Sequence, residues 1–200
     1  ESYAIDLAWD IIVRFPGMPR EYYADWVQVA SEETLHFGLL DRRLRALNSS
    51  YGALPTHDGL WQAASITAND HAARLAIVHM VHEARGLDVT PATIAKFRAV
   101  GDLDSVQVLE RIYTDEVTHV AKGVKWFRHV CAARGAGDPE QAFQGLVRTH
   151  FGFLKEPFNS DGRARAGLPE TWYSPLVRGP NDPPPARTVH PKPPPAASPA

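Results

Sequence analysis

The chain has 200 residues, 44% of them apolar and 22% charged, the balance of an ordinary globular domain with a core of its own. A formal net charge of −2 gives no electrostatic reason to expect nucleic acid or an acidic membrane surface as a partner, and no apolar run approaches the ~18 residues of a membrane span. The single cysteine, Cys131, excludes an intramolecular disulfide and a Cys-rich zinc site, and it fits a reducing, cytoplasmic setting.

Residues 1–15 carry helical periodicity that stops at "FPGMP", where two prolines and a glycine break it. The opening "ESYAIDLAWDII" reads as helix interior with no cap before it, so the expectation is a sequence that starts part-way into a helix. Pro19 suits the first turn of a second helix, which runs to about Ser49. "NSSYGALPTHDG" is loop by composition, and Asp58 is placed to cap a third helix over 59–85 that ends at Gly86. Thr90-Pro91 opens a short helix to about Val100, "GDLD" breaks it, and a long helix follows over 103–134, closed by Gly135. Residues 139–154 form one more short helix. Ten of the seventeen prolines fall between Pro175 and Ala200, so this tail is expected to be extended, partly polyproline II. No strand-like alternation of any length occurs. The predicted fold is all-α: a four-helix bundle with additional short helices, with 1–155 as the bundle and 156–200 as a covering loop and Pro-rich extended tail.

Two stretches carry the chemistry. "EETLHF" places Glu33 and His36 three residues apart on one helix face, and "DEVTH" repeats that spacing with Glu116 and His119. About half a Glu-x-x-His match is expected by chance in such a composition, so the motifs gain weight only from their surroundings. Trp26, Ala30, Glu33, Phe37, Leu40, Leu44 and Leu47 alternate steps of four and three, the core stripe of a bundle helix. Leu109, Ile112, Glu116, Val120, Gly123, Phe127 and Val130 form a similar stripe. Each stripe therefore carries a carboxylate into the core, where an ionised group is costly unless paired or bound to a cation.

The first and third helices offer further carboxylates. Glu1 starts the stripe Glu1, Ile5, Ala8, Ile12 and Phe15, and hairpin geometry puts it nearly level with Glu33. Asp6 is the rival, about 6–7 Å out of level. Glu83 lies 33 residues before Glu116, as Glu1 lies 32 before Glu33. Asp70 is the rival to Glu83. Four carboxylates and two imidazoles suit two iron or manganese ions, or a mixed pair, better than zinc. The set matches ferritin-like di-metal carboxylate bundles, in which two helices each give one Glu and the other two each give Glu-x-x-His. Glu32 and Asp115 directly precede the motif glutamates and are placed to orient the His of the opposite motif. His79 and Tyr113 read as core or supporting groups, His82 as surface or interface, His57 as a loop or capping residue, and Arg163 and Arg165 as a solvated loop. Trp9, Trp26, Trp61 and Trp126 read as packing.

"AIDLAWD", "HDGLW", "EARGLD" and "DEVTHVAKGVKWF" resemble the ferritin-like bacterial proteins grouped as domain of unknown function 455, over most of residues 1–160 and including "EPFN". "EARGLD" is also similar to the "EARS" segment of tRNA-modifying di-iron hydroxylases, which implies that Glu83 is a metal ligand. One departure stands out: "AIDL" has Asp6 where relatives usually carry Glu, and a ligand at that position would displace Glu1. The resemblance implies a fold and a metal centre but not a reaction. The expected activity is an O₂-using hydroxylase or oxidase of an unidentified small molecule, in a possible homodimer. An iron-handling or peroxide-detoxifying protein is the alternative, and a vestigial site is the third reading. The "EPFNSDGRARAGLPETWY" segment tilts the choice toward the oxidase, since it could cover an entrance.

Overall fold

Gly17, at φ 85°, turns the chain out of α1 (Ser2–Arg14) between the two prolines of "FPGMP" and into α2 (Arg20–Ala46). This is seen in the computed structural model, which describes residues 1–177 and 179. The Pro-rich tail lies outside the described residues, apart from its first turn. After a loop come α3 (Gly59–Ile66), then a continuous helical run from His71 to Ala99, made of α4 (His71–Ala76), a π-helical turn (Ile77–His82) and α5 (Glu83–Ala99). The longest helix, α6 (Leu103–Arg134), is followed by α7 (Pro139–His150) and by two short pieces, α8 (Ser160–Arg165) and α9 (Glu170–Tyr173), with a 3₁₀ turn at Ser174–Leu176. The fold is all-α: no strand occurs among the described residues, only an isolated bridge between Leu154 and Val177. None of these helices is long and apolar enough to cross a membrane.

Helix α1 packs on α2, α5 on α6, and both α2 and α4 on α6, so α6 is the shared wall of the core. Its buried line includes Ile112, Glu116, Val120, Gly123, Phe127 and Val130, with Leu109 only half-buried. On α2 the buried line is Trp26, Ala30, Glu33 and His36, while Phe37, Leu40 and Leu44 are half-buried and Leu47 is exposed. On α1 it is Leu7, Ala8 and Ile11; Ile5, Ile12 and Phe15 flank it.

The third helix departs most from the sequence reading. The chain breaks after Ile66, where Asp70 accepts from the Ala72 and Ala73 amides and caps α4, a role that removes it from the candidate ligands. The helix then passes straight through Gly86 and Pro91. A proline inside a helix leaves the carbonyl four residues earlier without its donor. Here that carbonyl belongs to Leu87, and the Asn159 side-chain amide donates to it at 3.0 Å. Asn159 also receives the Gly162 amide on Oδ1, so one residue both caps α8 and repairs α5.

The segment after α7 is part of the core. Ala166, Leu168, Trp172, Tyr173 and Leu176 are buried with the helices. Arg163 is buried as well, making two hydrogen bonds to the Asp88 carboxylate at 2.8 and 2.6 Å between the Phe158 and Tyr173 rings. A solvated loop is therefore not what surrounds Arg163; Asp88 and the two aromatic faces offset the cost of burying it. Arg165 is exposed.

A buried imidazole gives the fold an acid-sensitive point. His71 stacks on Phe15 at 4.4 Å and its Nε2 lies 3.0 Å from the Tyr22 hydroxyl. Burial, with the Arg134 charge second, pushes its pKa down from 6.5 to about 4. The unfolded chain takes up this proton near 6.5 and the folded protein only near 4, so the stability is complete above 6.5 and lost as pH falls to 4. The loss is at most about 3 kcal/mol, and solvent at the ring edge reduces it. Urea unfolding of wild type and His71→Phe at pH 7 and pH 4.5 checks this: the variant should lose less stability across the interval, and equal losses would refute it.

Candidate metal centre

Helices α2 and α6 lie antiparallel and bring their two motifs face to face. The His36 and His119 rings are 5.6 Å apart between centroids. Both Nδ1 atoms point inward: His119 Nδ1 is 3.0 Å from Glu33 and 3.5 Å from Glu116, and His36 Nδ1 is 3.5 Å from each of the same two carboxylates. Both Nε2 atoms point outward to a carboxylate of the opposite helix. His36 Nε2 meets Asp115 at 3.0 Å and His119 Nε2 meets Glu32 at 2.9 Å. An imidazole that donates from Nε2 has, once neutral, its Nδ1 lone pair free, so these contacts suit the tautomer that would present two lone pairs to a bound cation.

The remaining candidates complete two overlapping groups. Ligand atoms of Glu1, Glu33, His36 and Glu116 lie within 4.8 Å of one another, and so do those of Glu33, Glu83, Glu116 and His119. Glu33 and Glu116 belong to both. Glu1 comes from the start of α1 and Glu83 from the first residue after the π-helical turn. Asp6 is exposed on α1 and belongs to neither group.

The electrostatics of the cluster are those of a site short of positive charge. Against burial, which would raise it, His119 and His36 pull Glu33 down to about 2. Against burial, which would lower it, Glu116 and Glu33 hold His119 up at about 11. Glu83 is pushed well above the carboxylate range by burial, then by Glu116 and Glu33, and although Glu1 as a residue is exposed, the enclosure of its carboxylate among those groups takes it up to about 7. Even so, Glu33 Oε2, Glu116 Oε2, His36 Nδ1 and His119 Nδ1 are buried without a hydrogen-bond partner among the described residues. Buried polar atoms are almost always satisfied, and four orphans converging on one point call for a ligand. Two divalent cations would balance four carboxylates and two neutral imidazoles, and such oxygen-rich donors fit iron or manganese.

Supporting charges extend the cluster outward. Arg111 donates to Asp115 at 2.8 Å, the Gln28 amide donates to Glu32 at 2.8 Å, and the Lys122 ammonium lies 3.8 Å from Glu32. Arg111 and Lys122 escaped the sequence reading, although Arg111 stands four residues before Asp115, a pairing distance on a helix. His79 is buried against Trp26 at 4.3 Å and is in neither group. Tyr113 turns away from the centre, its hydroxyl accepting from Asn159. His57 accepts the Gly59 amide at 3.4 Å in its loop. Trp26 and Trp126 are buried, whereas Trp9 and Trp61 are about half-exposed.

Comparison with known proteins gives a family and no activity. The family model described as "Protein of unknown function (DUF455)" matches residues 1–174. A protein of Haemophilus influenzae (strain Rd) described as uncharacterized is 36% identical over 176 residues, covering 84% of this chain and 61% of the relative's own length. No solved structure matches the chain.

Proposed function

We propose that this chain, which belongs to the DUF455 family, is a ferritin-like protein that holds two iron or manganese ions and uses them for the O₂-dependent oxidation of a small molecule in the cytoplasm. The observation that carries the reading is the pair of overlapping groups with their orphaned, inward-facing atoms. In it, Glu1 and His36 would hold one ion, Glu83 and His119 the other, and Glu33 and Glu116 would contribute to both groups. Two such ions, when bound, supply the electrons that reduce O₂ and the oxidising power that follows. The protein contributes position. Glu32 and Asp115 would hold the imidazole tautomers, Gln28 and Arg111 donate to those carboxylates in turn, and Lys122 adds a positive charge beside Glu32. An apolar groove of about 140 Å³ lies along α2 past His36, bounded by Leu40, Leu44, Phe97 and Leu109 with Arg43 and Ser105 also lining it; an apolar molecule is the occupant it suits.

The test is metal analysis of protein produced with iron and manganese present. About two ions per chain are expected for this ligand count, and fewer than about one would overturn the reading. With ions bound, O₂ uptake that rises when candidate apolar substrates are added supports the oxidase. Uptake that follows added ferrous iron alone would show iron handling instead.

A further inference from the structure

Helix α5 presents a second, separate chemistry on its other side. His82, Arg85 and Asp88 share a face that Glu83 does not, because at 100° per residue Glu83 lies roughly opposite Arg85. Across from that face runs the segment 151–158, and between them is a cleft of about 230 Å³. Its apolar walls are Phe151, Leu154 and Phe158. Phe151 is 43% exposed, a large ring left open toward the cleft beside the His82 imidazole at 5.5 Å.

The polar lining is strongly one-sided. Arg85, Lys155 and Arg163 face one carboxylate, Asp88, which accepts two bonds from Arg163 and one from the Asn159 amide and lies 3.6 Å from Arg85 Nη1, so the Lys155 charge and the outer edge of Arg85 are what the lining offers. Arg85 is held in place, its Nη1 donating to the Lys155 and Pro157 carbonyls at 2.9 and 3.2 Å, while its Nε and Nη2 make no hydrogen bond among the described residues. Neither the Lys155 ammonium nor the His82 imidazole has a hydrogen-bond partner among them. A pre-positioned guanidinium, a second cation and an imidazole thus converge on an aromatic-walled cleft. Guanidinium geometry suits a carboxylate, and the exposed Phe151 ring suits an apolar body. The volume is below the ~300–1,000 Å³ of pockets that take drug-sized molecules, so the ligand is smaller.

We propose that this cleft binds a small organic carboxylate with an aromatic or branched apolar body, at a site independent of the metal cluster. The test uses the full chain without metal, so its outcome does not depend on the di-metal reading. Isothermal titration at low salt compares benzoate, benzyl alcohol and inorganic phosphate. Saturable benzoate binding is expected, with the other two at least about tenfold weaker. Lys155→Gln, an exposed position, should weaken benzoate about fivefold without changing circular dichroism or melting temperature, and Arg85→Gln should weaken it further. The absence of saturable benzoate binding would overturn the proposal. Equal binding of benzyl alcohol or phosphate, or binding unchanged in both variants, would overturn it too.

Discussion

Glu116→Ala should leave the protein with well under one metal ion per chain, whereas Glu1→Ala or Glu83→Ala should each retain about one. The asymmetry follows from the overlap of the two ligand groups. Glu116 and Glu33 supply atoms to both, while Glu1 and Glu83 each supply one. Removing a shared carboxylate takes one negative charge and one oxygen donor from each ion at once. Removing Glu1 leaves the Glu33, Glu83, Glu116 and His119 group intact, and removing Glu83 leaves the other. Asp6→Ala should retain both ions, since Asp6 is exposed and outside the cluster. Metal analysis by mass spectrometry, with circular dichroism to confirm the helices, checks the series. Two ions retained in Glu116→Ala, or loss of an ion in Asp6→Ala, would show that the ligand set is drawn wrongly.

Gly123→Ala should destabilise the fold by about 3 kcal/mol or more, or prevent soluble expression. A Cβ built on Gly123 would stand 2.2 Å from the His79 carbonyl oxygen and 3.0 Å from its carbon. Those atoms are backbone, in the π-helical turn, so no side-chain rotation relieves the contact. Helix α6 or the turn would have to move, and the turn sits just before Glu83. Gly86→Ala is the control: nothing lies within 4 Å of its would-be Cβ, and alanine favours a helix interior, so it should be neutral or slightly stabilising. Denaturant unfolding of both variants checks the contrast. A Gly123→Ala protein as stable as wild type would mean that the close approach of α6 to the π-helical turn is absent in solution.

The two long helices and their motifs were legible because their signal is periodic. Trp26, Ala30 and Glu33, or Ile112, Glu116 and Val120, declare a face over several turns, and a carboxylate on that face asks for a partner wherever the rest of the chain goes. The pairing of His36 with Asp115 and of His119 with Glu32 follows from the same antiparallel geometry. The third helix was read as ending at Gly86 because glycine and proline act as local stops when only neighbours are considered. Pro91 lies inside a helix because Asn159, 68 positions later, replaces the missing donor. The π-helical turn was equally hidden, since nothing in "IVHMVH" distinguishes it from α-helix; Gly123 on another helix is what leaves room for it. Arg163 was misplaced for a like reason: an arginine among glycines and an aspartate reads as surface, and only Asp88 with two aromatic rings makes its burial tolerable.

The way the C-terminal segment is built into the core bears on the order in which the molecule can form. Leu168, Trp172, Tyr173 and Leu176 fill space between helices made much earlier, and Asn159 completes a helix more than sixty residues upstream. While the chain is being synthesised, α1 to α6 can pair and the acidic cluster can assemble before these residues leave the ribosome. Until then the Leu87 carbonyl lacks its donor, Asp88 lacks Arg163, and the apolar surface awaiting Trp172 is open to water and to other chains. A chain that folds in this order would pass through a stage with its carboxylate–histidine cluster gathered and its outer wall unsealed, the stage at which association with a chaperone or with another nascent chain competes with closure.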